Sequence, residues 1–428
     1  MHPILDDLKW RGLYAQDSDP EGLRALLASG PQTLYCGFDP TASSLHIGNL
    51  VPLLCLRRFQ LAGHVPIVLM GGATGMIGDP SGKSAERNLN EKATIDAWLG
   101  NIRGQVARFV DLEAGRGHLV DNYSWTSELS TIDFLRDIGK HFSVTAMLAK
   151  DSVRSRIERE DGGISYTEFS YMVLQALDFY ELAKSHGCRL QIGGNDQWGN
   201  ITAGIDLCRR KLGLECYGLT FPLITTAAGT KFGKTERGTV WLDAERTPPY
   251  AYYQFWINTD DRDVGRFLRF FTFLEREEIE ALEAATAEKP EERQAQKRLA
   301  AELTTMTHGA AELDRVLAAT HALFGGGDLA SVDQKTLTSA LDSAPGAELA
   351  GLDEAPMLPG LLVAAGIVTS NSEARRVIGE GGAYVNNTRI TDPRFRPTAE
   401  HFLHGQFLVL RRGKKSYGVV RLTGTHPS

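Results

Sequence analysis

Two glycine-containing segments carry cationic residues whose spacing suits the binding of phosphate groups. Residues 71–84 read GGATGMIGDPSGKS and are soon followed by Arg87, and Lys231 and Lys234 lie three residues apart in the segment KFGKT. The first segment is not a P-loop, because its last two glycines before Lys83 are one residue too close and no helical pattern begins at that lysine. Cations on such loops can stabilise the charge that develops on a triphosphate, although each segment alone is more often a solvated turn.

A third segment, CGFDPTASSLHIGN at 36–49, combines a predicted strand end with a predicted helix start. Its loop carries Thr41, and the helix is expected to begin near Asn49, because Pro52 fits only in a first helical turn. A helix N-terminus offers unpaired N–H groups and the positive end of the helix dipole. With His46 beside it, the segment predicts an anion site, and an ordinary capped helix remains the alternative.

Three polar residues are spaced so that one face of a helix presents them together. Tyr171, Gln175 and Asp178 occupy positions i, i+4 and i+7. Such a stripe is unsuited to an apolar core, because each buried polar group would need a hydrogen-bond partner. The stripe therefore predicts a binding pocket for a polar ligand.

The elements that position these residues alternate between strands and helices. Short apolar runs predict strands, and longer periodic patterns predict helices. The strands are expected at 33–38, 65–70, 118–120 and 189–192, and helices at 50–61 and 91–110. This alternation indicates the α/β class, with a doubly wound, Rossmann-like parallel sheet that binds ligands at the C-terminal ends of its strands.

The second half of the chain predicts a helical region followed by a small α+β region. Residues 249–323 are helical and charged in pattern, with an aromatic seam at 267–273, whereas residues 331–353 are small and polar. We expect a Rossmann-like domain with the candidate site at 1–235, an α-helical domain at 236–324, a linker at 325–354 and a small basic α+β domain at 355–428.

Composition limits the classes of function. The 428 residues are 42% hydrophobic and 23% charged, which excludes global disorder. No apolar run approaches about 18 residues, so a membrane span is not expected, and the acidic start does not predict a signal peptide. The five cysteines suggest neither a disulfide framework nor a zinc site, so a reducing cytoplasm is the expected location. The net charge is −7 overall but +6 over 355–428, where a polyanionic partner is expected.

Taken in order, these segments resemble the signatures of class I aminoacyl-tRNA synthetases. Pro40–Asn49 resembles the HIGH signature and Lys231–Thr235 resembles the KMSKS signature, about 185 residues apart. Four further stretches are similar to those of bacterial tyrosyl-tRNA synthetases: YCGFDPT at 35–41, GDPSGK at 78–83, YMVLQALD at 171–178 and QIGGNDQWGN at 191–200. The resemblance extends over nearly the whole chain.

The resemblance implies a reaction in two steps. ATP, with Mg²⁺, would activate L-tyrosine to tyrosyl adenylate and pyrophosphate, and the tyrosyl group would then pass to the 3′-terminal ribose of tRNA(Tyr). Because the tyrosine carboxylate attacks the α-phosphorus in line, the protein would contribute positioning and charge stabilisation. Neither a protein nucleophile nor a tightly bound metal or prosthetic group is expected.

The resemblance also implies roles for individual residues. Tyr35 and Asp178 would bind the substrate hydroxyl, and Asp79 would help to hold its ammonium group. The tyrosine pocket would comprise Tyr35, Asp79, Tyr171, Gln175, Asp178 and Gln191. The residues at ATP or the adenylate would be Cys36, Gly37, Asp39, Gly48, Gly194, Asp196, Gln197 and Lys234. The residues acting on the phosphates would be Thr41, His46, Asn49, Lys83, Arg87, Lys231, Lys234 and Thr235.

The chain departs from the family signatures at a few positions. Asn49 stands where the HIGH signature has its second histidine, and Asn195 stands where the family usually has serine. Phe232, Gly233 and Thr235 replace the usual Met, Ser and Ser, while both lysines of the signature are kept. These departures bear on the rate of the reaction rather than on its type.

The end of the chain resembles a small RNA-binding domain shared by a ribosomal protein and pseudouridine synthases, over residues 357–392. Basic residues there would contact mainly RNA phosphates. The expected contacts are Arg375, Arg376, Arg411, Arg412, Lys414 and Lys415. Members of the family are homodimers with tRNA crossing between subunits, and residues 134–164 are expected to supply an amphipathic helix for such a contact.

Two alternatives remain open from the sequence. One is the sister enzyme that activates tryptophan, whose substrate has no phenol for Tyr35 and Asp178 to bind and which usually lacks the C-terminal domain. The other is a non-catalytic RNA-binding protein on a synthetase fold. Retention of the polar stripe and of both signature lysines argues against this second alternative.

Overall fold

The structure, a computed structural model, describes residues 3–81, 89–150, 153–154, 157–158, 163–227, 229, 232–235, 238–324, 327–342, 344–413 and 416–423. Internal contacts divide the chain into two units. The first comprises Met1–Arg246 and Thr259–Leu299, and the second comprises Thr247–Asn258 and Ala300–Ser428. The boundaries of the four parts expected from the sequence remain a prediction, because this division into two units does not test them.

Helices and strands alternate through the first half of the chain. The strands are β1 (Gln16–Asp17), β2 (Thr33–Phe38), β3 (Val65–Met70), β4 (His118–Asp121), β5 (Leu190–Gly194), β6 (Tyr217–Phe221), β7 (Lys234–Thr235), β8 (Gly238–Thr239), β9 (Gly346–Leu349), β10 (Ala383–Val385), β11 (Thr388–Ile390), β12 (Phe407–Arg412) and β13 (Ser416–Leu422). The α-helices are α1 (Pro3–Arg11), α2 (Pro20–Ala28), α3 (Leu50–Leu61), α4 (Thr74–Ile77), α5 (Lys92–Val106), α6 (Tyr123–Thr126), α7 (Thr131–Asp133), α8 (Val144–Leu148), α9 (Tyr166–His186), α10 (Trp198–Leu212), α11 (Pro249–Ile257), α12 (Asp261–Phe271), α13 (Arg276–Glu288), α14 (Gln294–His308), α15 (Ala310–Leu323), α16 (Gln334–Leu341), α17 (Leu358–Ala364) and α18 (Asn371–Gly379). Among the described residues, no helix is both long and apolar enough to cross a bilayer.

The first unit is built on a six-stranded sheet in the order β1–β6–β5–β2–β3–β4. The strands from β6 to β4 are parallel, and β1 pairs antiparallel with β6 at one edge. Strands β2, β3, β5 and β6 consist mainly of buried residues, as is usual for parallel strands that are covered on both faces. The predicted Rossmann-like α/β class is confirmed, and all four predicted strands are present.

The helix after the HIGH-like segment begins as the sequence predicts. A 3₁₀ turn at Ile47–Asn49 leads into α3, and Pro52 lies in the first turn of that helix. The helix expected at 91–110 is α5, which ends four residues earlier than expected, at Val106.

The amphipathic helix expected at 134–164 does not form a single element in the described part of that segment. The segment instead contains a π-helical turn at Phe134–Ile138, a 3₁₀ turn at Gly139–His141 and helix α8. Phe142 has extended backbone, so the helical run is broken there, and Gly139 lowers helix propensity just before the break.

The second unit contains a five-stranded sheet in the order β11–β10–β12–β13–β9. The pairs are antiparallel except for β13 and β9, which are parallel. Helices α17 and α18 pack on this sheet through a buried core that includes Leu361, Leu362, Ile378, Leu410 and Val420. The predicted small α+β part is confirmed.

The segment 325–354, for which the sequence predicts a linker, contains regular secondary structure in its described part. It contains α16, on which Leu337 and Leu341 are buried, and strand β9, which pairs with β13. The sequence of β9 is GAEL, a weak strand signal, because much of strand propensity comes from packing against neighbours distant in sequence.

Two buried arginines hold the C-terminal end of α12. Arg58 on α3 donates a hydrogen bond to the carbonyl of Thr272. Arg11 at the end of α1 donates to the carbonyls of Thr272 and Leu274 at 3.3 and 2.9 Å. Asp7 pairs with Arg11 at 2.8 Å and with Arg58 at 3.6 Å. These cations satisfy carbonyls beyond the last helical turn and face the negative end of the helix dipole.

We expect Arg58→Ala to destabilise the first unit. The substitution removes a buried donor from the carbonyl of Thr272 and leaves a cavity, so the free energy of unfolding should fall by about 3 kcal/mol. Urea denaturation measures this loss. The matched control is Arg57→Ala on the same helix, where the half-buried guanidinium bonds only the nearby Gln60 in the described structure and the loss should stay below about 1 kcal/mol. Equal losses in the two variants would contradict the anchoring role of Arg58.

Candidate active site

A buried carboxylate, that of Asp178 on α9, lies at the centre of the candidate site. It is 3% exposed, and both of its oxygens accept hydrogen bonds at 3.0 Å, from Nδ2 of Asn122 and from Nε1 of Trp125. Burial raises the pKa of the Asp178 carboxyl to about 8, although the two hydrogen bonds act in the opposite direction. The site therefore holds an ionisable group whose charge is costly unless a ligand or a proton compensates it.

Two buried polar atoms near this carboxylate have no hydrogen-bond partner among the described residues. They are the hydroxyl of Tyr35 on β2 and Oε1 of Gln191 on β5, two residues that face each other in the register of adjacent strands. Burial and then the charge of Asp178 raise the pKa of Tyr35, which places both groups in one environment. An unsatisfied buried polar group costs about 1–3 kcal/mol. The arrangement therefore fits a ligand that brings its own hydroxyl group.

A second polar cluster surrounds Tyr171 on α9. The hydroxyl of Tyr171 donates to Oδ2 of Asp39 at 2.6 Å, and Thr74 donates to Oδ1 of the same carboxylate at 2.7 Å. Nδ2 of Asn122 bonds to the hydroxyl of Thr74 at 2.9 Å, so this cluster is continuous with Asp178. Burial, followed by the charges of Asp39 and Asp79, raises the pKa of Tyr171. Two carboxylates near one hydroxyl favour a cationic group such as an ammonium.

The predicted ammonium and adenylate residues share one hydrogen-bond network. Nε2 of Gln197 donates to Oδ2 of Asp79 at 2.7 Å. Nδ2 of Asn200 donates to Oε1 of Gln175 at 3.0 Å and to Oε1 of Gln197 at 3.2 Å. The network joins α9, the start of α10 and the segment after α4, so it places the side chains of Asp79, Gln175 and Gln197 together.

The HIGH-like turn is stabilised by its own side chains. Nδ1 of His46 accepts the N–H of Gly48 at 3.0 Å, and Oδ1 of Asn49 accepts the N–H of His46 at 3.0 Å. A side chain at Gly48 would place its Cβ 2.7 Å from the His46 ring, so only glycine fits there. Thr41 in the preceding loop is exposed. Asn49, which departs from the signature, therefore orders the backbone at His46.

The KMSKS-like segment lies against the HIGH-like turn. Lys234 and Thr235 form strand β7, which pairs with β8, and Gly233 has a φ of +85°. A side chain at Gly233 would place its Cβ 3.1 Å from Cγ1 of Ile47. Lys83, Arg87 and Lys231 lie outside the described residues, and so do the side chains of Lys234 and Thr235.

The remaining predicted nucleotide residues lie at the ends of β2 and β5. Burial raises the pKa of the Cys36 thiol, and a side chain at Gly37 would meet no described atom within 4 Å. At Gly194 a Cβ would lie 2.6 Å from Oδ1 of Asp196, so that carboxylate closely approaches the backbone. Within the described residues, no group of three or more His, Cys, Asp or Glu side chains is arranged to hold a metal ion.

Sequence reasoning missed four residues that position the site: Thr74, Asn122, Trp125 and Asn200. Two of them, Asn122 and Trp125, follow directly on strand β4. The rule that ligands bind beyond the C-terminal ends of parallel strands would have pointed to them.

The predicted RNA contacts in the second unit differ in exposure. Arg375 and Arg376 on α18 are exposed, whereas Arg412 pairs with Glu373 at 2.8 Å. Arg411 is buried at 6% exposure, and its guanidinium donates to the carbonyl of Gly413 and lies 4.2 Å from the centre of the Tyr384 ring. The guanidinium of Arg411 thus contacts protein groups in this structure, and the RNA contact expected there stays a prediction. Lys414 and Lys415 lie outside the described residues.

Comparison with known proteins supports the resemblance to class I aminoacyl-tRNA synthetases over nearly the whole chain. A family model described as tRNA synthetases class I (W and Y) matches residues 28–325, and one described as the tyrosine–tRNA ligase SYY-like C-terminal domain matches residues 337–420. The tyrosine–tRNA ligase of Streptomyces griseus is 54% identical over 424 residues, which is 99% of both chains. That of Bacillus caldotenax is 55% identical over 421 residues, 98% of this chain and 99% of the relative.

A solved structure agrees with these sequence matches. The C-terminally truncated mitochondrial tyrosyl-tRNA synthetase of Aspergillus nidulans superposes with a TM-score of 0.66 at 30% identity, over 73% of this chain and 92% of that one. The fold and the signatures thus define a class I tRNA synthetase of the tryptophan and tyrosine group. Within that group, the chain belongs to the family of tyrosine–tRNA ligases, as the resemblance of its signatures predicted.

We expect Asp178→Asn to remove a pH-dependent loss of stability. Between the pKa of the unfolded chain, about 3.9, and the folded value of about 8, the folded protein holds one proton more than the unfolded chain. The free energy of unfolding therefore falls as the pH rises through this window. The asparagine variant lacks this proton, so its urea midpoint should fall less between about pH 5 and pH 8 than that of the unsubstituted protein.

The control for this experiment is Asp96→Asn, which changes an exposed carboxylate on α5. Its midpoints should follow those of the unsubstituted protein at every pH. The amide of Asp178→Asn leaves one of the two donors without an acceptor, which adds a loss that does not vary with pH. Parallel pH curves for Asp178→Asn and the unsubstituted protein would show that Asp178 is ionised throughout.

Proposed function

We propose that this chain activates L-tyrosine with ATP and transfers the tyrosyl group to the 3′-terminal ribose of tRNA(Tyr). The observation that carries the proposal is the buried Tyr35 hydroxyl without a partner beside the buried carboxyl of Asp178. A phenol placed between them would accept from Tyr35 and donate to the Asp178 carboxylate. Such a site disfavours phenylalanine strongly, because that substrate would leave both buried groups unpaired.

The ammonium group of tyrosine would occupy the polar cluster around Tyr171. Asp39 and Asp79 supply negative charge there, and Gln175 supplies an amide oxygen. These acceptors would replace water around the ammonium group. With the phenol and the ammonium held at two points, the carboxylate of tyrosine is oriented toward the end of β5, where Gln197 and Asp196 lie.

Activation requires in-line attack of the tyrosine carboxylate on the α-phosphorus of ATP, with departure of pyrophosphate. Thr41, His46 and the lysines of both basic segments would stabilise the charge that develops on the leaving group. Mg²⁺ bound to ATP would neutralise part of that charge when present. No proton transfer by a protein side chain is needed in this step.

The second unit would bind the tRNA. Residues 355–428 carry a net charge of +6, and Arg375 and Arg376 are exposed on α18. Contacts of this type position RNA through its phosphates rather than reading its sequence. The division into catalytic, helical, connecting and RNA-binding parts remains part of this proposal, as does a cytoplasmic location, which the five free and buried cysteines suit.

We further propose that the protein is a homodimer with tRNA crossing between subunits. Large apolar side chains are exposed within a short stretch of the first unit: Ile132 at 68%, Leu135 at 47%, Val144 at 60%, Leu148 at 42% and Tyr166 at 72%. Clustered exposed apolar residues mark interaction sites in soluble proteins. A second copy of this chain is the proposed occupant, since a segment in every copy can cover its own equivalent in a two-fold interface.

The first experiment is ATP–pyrophosphate exchange with tyrosine, phenylalanine and tryptophan. We expect exchange with tyrosine alone. Tyr35→Phe should reduce kcat/KM for tyrosine by about tenfold and should reduce the preference over phenylalanine, because one hydrogen bond to the phenol is lost. The matched control is Tyr252→Phe, which changes another fully buried tyrosine, bonded to Thr307 in the second unit, and should leave the preference unchanged.

Two outcomes of that experiment would contradict the proposal. Exchange with tryptophan would overturn the assignment of the pocket while leaving the fold intact. A folded protein that binds RNA but exchanges with none of the three amino acids would favour a non-catalytic RNA-binding protein.

The dimer is tested by light scattering on Val144→Asp. A charge in an apolar interface is costly to desolvate, so we expect the mass to fall from that of a dimer to that of a monomer at the same concentration. Leu317→Asp is the control, because Leu317 is an exposed apolar residue of the second unit and its substitution should leave the mass unchanged. A monomeric mass for the unsubstituted protein would refute the proposal.

A further inference from the structure

Helix α12 holds the chain just before the KMSKS-like segment at two points. Oδ2 of Asp263 accepts the N–H of Ala227 at 2.8 Å, and Nη2 of Arg266 donates to the carbonyl of Thr225. Asp263 and Arg266 are themselves paired at 2.8 Å, and Asp263 is only 4% exposed. The pair thus binds one backbone donor and one backbone acceptor two residues apart, which fixes both the position and the direction of the chain.

The same helix packs against the KMSKS-like segment itself. The ring of Phe232 stacks on that of Phe271 with centroids 5.2 Å apart, and it meets Phe267 edge-on at 5.0 Å. Phe232 is 7% exposed, so the aromatic contact is a buried one. Residues on either side of Lys231 are therefore attached to one helix, Thr225 and Ala227 through hydrogen bonds and Phe232 through packing.

The C-terminal end of α12 is also attached to the helix that follows the HIGH-like turn. Arg58 of α3 donates to the carbonyl of Thr272, immediately beyond the last residue of α12. A helix is a stiff element, so this contact relates the position of the KMSKS-like segment to that of α3. The KMSKS-like segment and the helix that follows the HIGH-like turn are thus both attached to α12.

We propose that Asp263 and Arg266 are positioning residues that set the position of the KMSKS-like segment, which carries the signature lysines, during tyrosine activation. The inference rests on the proposed function, because it assigns the lysines to the departing pyrophosphate. Neither residue belongs to the predicted tyrosine pocket or to the predicted ATP site. Their effect reaches the reaction through the backbone at 225–227, which enters the lysine-bearing segment.

The test compares Arg266→Ala and Asp263→Ala with Arg262→Ala. Arg262 lies on the same helix, is exposed and pairs with Asp260, away from the lysine-bearing segment. In the two test variants, we expect the rate constant of adenylate formation to fall by about tenfold to a hundredfold, because a misplacement of about 1 Å has an effect of that size. The dissociation constant of tyrosine should change by less than about twofold, and Arg262→Ala should match the unsubstituted protein.

Arg266→Lys separates positioning from folding. Lysine keeps the charge beside Asp263, but its side chain is shorter and lacks the terminal Nη2 that donates to both the carboxylate and the carbonyl of Thr225. We expect this variant to keep its thermal midpoint and still lose activation rate. Loss of tyrosine binding or of stability in parallel with the rate would mean a merely structural role and would overturn the proposal.

A double-substitution cycle with Lys234→Ala tests whether the effect passes through the lysine. If Arg266 acts by positioning Lys234, the loss caused by Arg266→Ala should be much smaller when Lys234 is already replaced. Additive losses would overturn the proposal. A third readout is hydrogen exchange at the amide of Ala227, which Asp263→Ala should accelerate. If the unsubstituted protein forms no adenylate, the proposed function fails, and unchanged exchange at Ala227 would separately refute the attachment to α12.

Discussion

The arrangement of the site depends on one constraint, the burial of the Asp178 carboxyl inside the first unit. A buried carboxyl needs donors for both oxygens, and Asn122 and Trp125 supply them. Asn122 then bonds Thr74, which bonds Asp39, so the same requirement extends to the cluster around Tyr171. The Tyr35 hydroxyl is left for a ligand. The hydrogen bonds that satisfy Asp178 therefore leave one buried polar group of the pocket, the Tyr35 hydroxyl, without a partner among the described residues.

The parallel sheet brings these residues together from distant parts of the sequence. The segments after β2, β3, β4 and β5 carry Asp39, Asp79, Asn122 and Gln197, and the parallel strands end at one edge of the sheet. Helix α9 then closes the site by presenting Tyr171, Gln175 and Asp178 to these segments. The sheet topology brings these segments close together, and the hydrogen bonds between neighbouring segments orient their side chains.

Much of this could be predicted from the sequence, because local patterns are strong where strands are fully buried and where several polar residues share one helix face. Strands β2 and β3 have the predicted bounds, and the stripe on α9 was readable from its spacing. Strand β9 and helix α16 were not predicted, since their pairing and burial come from distant partners. The donors to Asp178 were also missed: the position of Asn122 and Trp125 after β4 points to the site, but nothing local in the sequence shows which carboxylate they will meet.

One departure of the KMSKS-like segment, Phe232 in place of methionine, has a structural reason. Main-chain hydrogen bonds join the HIGH-like segment to residues that follow the KMSKS-like segment, from the N–H of Ile47 to the carbonyl of Val240 at 3.1 Å and from the N–H of Leu242 to the carbonyl of Leu45 at 2.9 Å. The remaining side of the segment faces the aromatic seam of α12, where Phe232 stacks. An aromatic ring offers a larger and stiffer contact there than methionine would. The chain thus combines a backbone bridge on one side with ring packing on the other, and both keep the signatures close although they are far apart in sequence.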